Sequence, residues 1–333
     1  MGGLLVAGLA GCQGLPFSGT PPKPPSTACD HPPCATPLSK KMRTARIEYE
    51  VSGRPFQLPV VQGSVGGVRT LFLVDTGANA HVVTRWLAKK AKLGLESHGD
   101  SSTDHVGKAI ATLRTSHPRF VVDGWGPLPD KDTIVIDVPE ALEKLGIGAF
   151  LSPQNLDAKT TVLDLSRGEL RESESLGEEK GALAEWASFS RPEPRSLPEP
   201  VACTDATNPI APLSFVLAAT VDDQKVSLLV DTGAQRTDLF FTSNAGKSLV
   251  PRAETGESLL LASGKVDTKM LRDVPISVGD VRARLDVGLV PGSADPSCPR
   301  DGVLAMDVLR RCVLVFGQGT FHARCRGTED APR

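Results

Sequence analysis

Apolar and polar positions alternate along Ala45-Arg46-Ile47-Glu48-Tyr49-Glu50-Val51, the period of two that a half-buried strand requires. Residues 55–61 read as a second extended piece, and Gly63 to Gly67 as turns. From residue 68 to 74 the chain becomes largely apolar, as a strand covered on both faces does, and it runs into Asp75. Residues 82–84 are extended, and 85–91 form a helix stopped by Gly94. A hairpin turning at Gly107 is expected over 105–111, and a strand over 133–138. The apolar pair Phe150-Leu151 precedes a small residue, Ser152, and 161–165 close the unit.

The same order of features then occurs again. Residues 215–221 form a strand, Asp222-Asp223 a turn, and 225–230 an apolar strand that ends on Asp231. A hairpin turning at Gly264 lies 33 residues after Asp231, where Gly107 lies 32 after Asp75. Val303-Leu304-Ala305 answers Phe150-Leu151-Ser152: Ala305 is 74 residues after its Asp and Ser152 is 77. Val313-Leu314-Val315 answers Val162-Leu163. Four features in one order at nearly one spacing indicate an internal duplication of a mostly β unit.

The chemistry sits at the repeated strand ends. Each apolar strand delivers Asp-Thr-Gly-Ala: Asp75, Thr76, Gly77 and Ala78, then Asp231, Thr232, Gly233 and Ala234. Burying a lone carboxylate is costly. The cost falls when two carboxyls face each other and share one proton, and that arrangement requires two copies of the motif. A single Asp-Thr-Gly is most simply a turn. Two of them, each after an apolar strand in a duplicated unit, argue for a site.

Composition bounds the rest. The 333 residues suit two cores better than one. A net charge of −2 gives no reason to expect nucleic acid as a partner. Residues 1–12 are apolar and small and end in Leu9-Ala10-Gly11-Cys12, which reads as an export segment and resembles a bacterial lipobox. On that reading Cys12 carries lipid, and the protein is an exported cell-envelope lipoprotein on the outer membrane or periplasmic face, anchored through Cys12. Residues 13–42 are a Pro-rich tether, and 173–200 an acidic, Pro-rich linker between lobes at 43–172 and 201–327. Six further cysteines, Cys29, Cys34, Cys203, Cys298, Cys312 and Cys325, suggest disulfides: Cys29 with Cys34, and two bridges among the other four. The histidines, His81 among them, are scattered without metal-ligand spacing and read as surface residues; no metal or cofactor is expected. Trp86, Trp125 and Trp186 read as packing residues.

The paired Asp-Thr-Gly-Ala motifs and the downstream apolar pairs resemble the two signatures of the aspartic proteases. The third position of the later signature is Ser152 and Ala305 here, where the family usually has Gly. The form of the motif looks more like the retropepsin branch than pepsin, and the only tyrosine, Tyr49, precedes the first motif, so no flap tyrosine is carried over. The resemblance implies two homologous retropepsin-like β-barrel lobes in one monomeric chain, with the active site at their interface. It implies Asp75 and Asp231 as the catalytic pair, Thr76, Gly77, Ala78, Thr232, Gly233 and Ala234 as the supporting loops, hairpins near Gly107 and Gly264 as flaps, and a polypeptide substrate. The alternatives are a catalytically silent peptide-binding module and a structural envelope lipoprotein that keeps the fold.

Overall fold

The computed structural model describes residues 42–97, 102–104, 108–175, 177, 179, 195–196, 201–203, 214–261, 264–292, 300–317 and 320–326. The architecture is mostly β and two-lobed, and each lobe is built around the strand that ends on its aspartate. In the first lobe, Val68–Val74 lies between Arg54–Val65, antiparallel to it, and Ile147–Leu151, parallel to it. Ile147–Leu151 pairs in turn, antiparallel, with Val82–Thr84. The chain therefore leaves one side of Ile147–Leu151 at Val74, loops through residues 75–81 across its end, and returns on its other side. In the second lobe, Gly302–Leu304 likewise separates Gln224–Val230 from Asp238–Phe240, with the same parallel and antiparallel senses.

These central strands read as apolar runs because both faces are covered. Phe72, Leu73, Val74, Leu228, Leu229 and Val230 are fully buried, as are Leu151 and Leu304. The side chains fix the strands in depth, and the strands fix where the loops emerge.

A six-stranded sheet joins the halves. Its order is Thr44–Arg46, Glu169–Ser173, Thr160–Asp164, Cys312–Gly317, Thr320–Cys325 and Arg195–Ser196. The segments that the repeat made equivalent pair with each other here: Leu163 lies opposite Leu314 and Val162 opposite Val315. Phe215, Phe316 and Phe321 form an aromatic cluster against this sheet, with ring centroids 5.1 to 5.7 Å apart. Cys312 and Cys325 are directly opposite and disulfide-bonded. The tether with Cys29 and Cys34, the export segment, Cys298 and Trp186 lie outside the described residues.

Several expectations change. The acidic stretch after residue 172 is not all spacer: Glu179 is buried and takes both ends of the Arg171 guanidinium at 2.7 Å, while Glu172 binds Arg43. The first hairpin pairs Ser102–Thr103 with Ala109–Ile110, and 105–107, with Gly107, lie outside the described residues. In the second, Leu259–Leu261 pairs with Gly264–Val266, Gly264 stands at the start of the returning strand with φ 114°, and 262–263 lie outside the described residues. The helices Glu140–Lys144 and Asn244–Leu249 carry too few turns to give a clear period in the sequence.

Candidate active site

Both Asp-Thr-Gly-Ala loops meet at the lobe interface. The Asp75 N–H donates to the Leu151 carbonyl at 2.9 Å, and the Asp231 N–H donates to Leu304 at the same distance, which anchors each loop to the strand end beneath it. Each aspartate then folds back on its own loop. Oδ1 of Asp75 accepts the N–H groups of Gly77 at 2.8 Å and Ala78 at 3.0 Å, and Oδ1 of Asp231 accepts that of Gly233 at 2.8 Å.

The glycines show how near the two carboxyls are to the opposite loops. A β-carbon on Gly77 would sit 2.7 Å from the Asp231 carboxyl carbon, and one on Gly233 would sit 2.6 Å from that of Asp75. Neither position has room for a side chain, so glycine is required here by close approach. The Asp75 and Asp231 carboxyls, each against the other lobe's glycine, lie close enough to influence one another's ionisation and are almost fully buried. Burial, then the nearby Asp231 charge, hold the Asp75 carboxyl well above the ordinary carboxylate range, against the opposing pull of the Ala78 and Gly77 N–H groups.

The threonines lock the loops together. The Thr76 N–H donates to Thr232 Oγ1 at 3.1 Å, and the Thr232 N–H donates to Thr76 Oγ1 at 3.0 Å. Each hydroxyl donates onward across the interface, Thr76 to the Val230 carbonyl at 2.8 Å and Thr232 to the Val74 carbonyl at 2.7 Å. Ala78 and Ala234 pack behind the loops as buried residues.

The family model for aspartyl proteases matches residues 61–147 and 217–308, one span in each lobe. The chain belongs to the aspartyl protease family. Its fold is also similar to that in the crystal structure of the aspartic proteinase from Irpex lacteus, with a TM-score of 0.45 and 11% identity over 86% of this chain and 98% of that one. Comparison with curated proteins gives no match.

In this aspartyl protease the two loops are held from beneath by different chemistry. In the first lobe the turn at 152–155 closes on the loop carbonyls. Ser152 Oγ donates to Ala78 O at 2.7 Å, Gln154 Nε2 to Thr76 O and Ala78 O, and Asn155 Nδ2 to Asn79 O and Ser152 Oγ. The Ser152 N–H donates to His81 Nδ1 at 3.1 Å. In the second lobe the Ala305 N–H donates to Thr237 Oγ1 at 3.2 Å, and Thr237 gives its N–H and its hydroxyl to the two carboxylate oxygens of Asp307, at 2.8 and 2.7 Å.

His81 is thus not the surface residue its sequence context suggests. It lies six positions after Asp75, as Thr237 lies six after Asp231, and both accept the N–H of the small residue that follows the apolar pair. Gln154 and Asp307 likewise each stand two after that small residue. Carrying the repeat alignment past the motif would have found all four. Composition and local spacing carry no such signal.

The second-lobe hairpin reaches the first lobe. Leu261 and Gly264 border a gap of about 440 Å³ with Val138, Pro139, Glu140, Ala141 and Lys144 on the far side. Cys12 lies outside the described residues.

Proposed function

We propose that this aspartyl protease hydrolyses peptide bonds within polypeptides, with Asp75 and Asp231 as a general acid and base that share one proton. The observation that carries this reading is the pair of buried carboxyls, each member pressed against the other lobe's glycine. Two like charges at that range do not both ionise easily, so the pair holds one proton over a wide range of pH.

The ionised carboxylate takes a proton from a water held between the two groups as the water oxygen attacks the substrate carbonyl carbon. The protonated carboxyl gives its proton to the carbonyl oxygen, forming a tetrahedral diol. As the diol collapses and the C–N bond breaks, one diol hydroxyl gives its proton to the ionised carboxylate while the protonated carboxyl gives its own to the leaving nitrogen, so the pair again holds one proton. The Thr76–Thr232 exchange keeps the two carboxyls at fixed separation through the cycle. The hairpins at 102–110 and 259–266 act as flaps that close over an extended chain and exclude water.

Export and a lipid anchor on Cys12 are part of the same reading. They are supported by Leu9-Ala10-Gly11-Cys12 and by the Cys312–Cys325 disulfide, which suits an oxidising compartment. Fatty-acid labelling of the expressed chain, lost in Cys12→Ser, tests the anchor.

The activity is tested by incubating the full chain with a diverse peptide mixture at about pH 4 to 6, the range set by a shared-proton dyad. Cleavage by the wild type and none by Asp75→Asn or Asp231→Asn is the expected result. A folded wild type that cleaves nothing at any pH overturns the reading.

A further inference from the structure

The first-lobe loop is held by a titratable ring where the second lobe uses a hydroxyl. His81 Nδ1 accepts the Ser152 N–H, so in the neutral ring the proton is on Nε2. The ring is partly buried and meets Phe120 edge-on, with centroids 5.8 Å apart. Ser152 is fully buried, and the same serine holds Ala78 through its hydroxyl. Asn155 in the same turn holds Asn79 and Ser152. The neutral tautomer therefore closes a circuit from the Asp75 loop through His81, Ser152 and Asn155 back to the same loop.

Protonation breaks this circuit at one place. A second ring proton on Nδ1 faces the Ser152 N–H donor, so an acceptor becomes a donor and two N–H groups are set against each other in a site with little water. Lys131 opposes a positive ring and Asp157 favours it, and these are the charged groups that act on it. Burial is the largest influence and, with Lys131, lowers the ring's pKa to about 4. Thr237, at the equivalent place in the other lobe, has no proton to gain.

We propose that His81 is a positioning residue for the Asp75 loop, and that protonation of its ring, which turns the Ser152 acceptor into a donor, sets the acid limit of this protease. The inference rests on the proposed peptidase reading for its kinetic consequence, but the state of the ring can be measured without it.

The test compares the full-length wild type with His81→Gln, whose side-chain oxygen can still accept the Ser152 N–H, and His81→Thr, which copies the second lobe. On one peptide substrate, wild-type kcat/KM is expected to fall about tenfold per pH unit once the ring protonates, as for the loss of one essential unprotonated group. In His81→Gln the fall begins at least one unit lower, while kcat/KM at pH 6 stays within about threefold of wild type. An acid limb that does not move in either folded variant overturns the proposal. Ring-proton NMR of the same samples supplies the second reading. The histidine signal missing from His81→Gln should titrate well below the ordinary histidine range. Titration of that signal near 6.5 also overturns the proposal. If no peptide is cleaved at any pH, the peptidase reading fails, and the NMR titration still decides whether the ring stays neutral in acid.

Discussion

Thr76 and Thr232 exchange hydrogen bonds reciprocally across the lobe interface, each N–H donating to the other residue's hydroxyl oxygen. Both side chains are buried, and each hydroxyl also donates to a carbonyl of the opposite lobe. Replacing one threonine by valine keeps the shape and leaves an N–H and a C=O without partners. At about 1–3 kcal/mol for each orphaned buried group, Thr232→Val is expected to cost roughly 2–6 kcal/mol. Urea unfolding measures the loss, and Thr232→Ser should recover most of it. A valine variant as stable as wild type would mean that the exchange contributes little.

Gly77 and Gly233 leave no room for a methyl group, since each would place its β-carbon within 2.7 Å of the opposite carboxyl. Gly77→Ala must therefore displace Asp231 or part the lobes. We expect activity to fall on the order of a hundredfold, the scale of a misplacement of about 1 Å at a reacting centre. The unfolding midpoint should fall as well. Gly264→Ala is the contrasting case: nothing lies within 4 Å of its β-carbon position, but its φ of +114° disfavours a side chain. It should alter the hairpin and substrate affinity, with little effect on the pair.

The Cys312–Cys325 disulfide spans 13 residues and staples two strands of the sheet that joins the lobes. A loop of that size corresponds to about 3 kcal/mol of stabilisation on the loop-entropy account. The Cys312→Ala/Cys325→Ala double variant should lose stability by about that amount, read as a lower denaturant midpoint. Because Cys312–Gly317 pairs with Thr160–Asp164 of the first half, amide exchange should rise on Thr160–Asp164 too.

The duplicated order of strands, both Asp-Thr-Gly-Ala loops and the small residues Ser152 and Ala305 are legible in the sequence. Buried strands on either side of a central strand leave unbroken apolar runs, and close approach demands glycine. The support beneath the loops is not legible in the same way. A histidine whose ring accepts one backbone N–H looks in sequence like any surface histidine, because its role depends on a turn some seventy residues later. Glu179 reads as spacer for a related reason. It sits in an acidic stretch, and only the fold brings Arg171 to both of its oxygens.

The two titratable supports give stability opposite pH dependences. Burial raises the Asp307 carboxyl to about 6, despite the Thr237 hydrogen bonds that favour its ionised form. A raised folded-state pKa contributes stability that is complete below the unfolded value, about 3.9, and is lost as pH rises through about 6. Asp75 is displaced in the same direction and adds to that loss. His81 is depressed to about 4, so its contribution is complete above the unfolded value of about 6.5 and is lost as pH falls through 4. A tenfold change in proton affinity between the folded and unfolded chains is worth about 1.4 kcal/mol, so each group changes stability by up to roughly 3 kcal/mol across its window. The two windows overlap between about pH 4 and 6 with opposite sign, so urea unfolding of the wild type and both variants at about pH 4, 5, 6 and 7 separates them. Asp307→Asn should remove a decline that runs with rising pH from about 4 to 6, and His81→Gln a decline that runs with falling pH from about 6.5 to 4. If Asp307→Asn leaves the neutral-side slope intact, that slope belongs to the Asp75–Asp231 pair, and Asp75→Asn should then remove it.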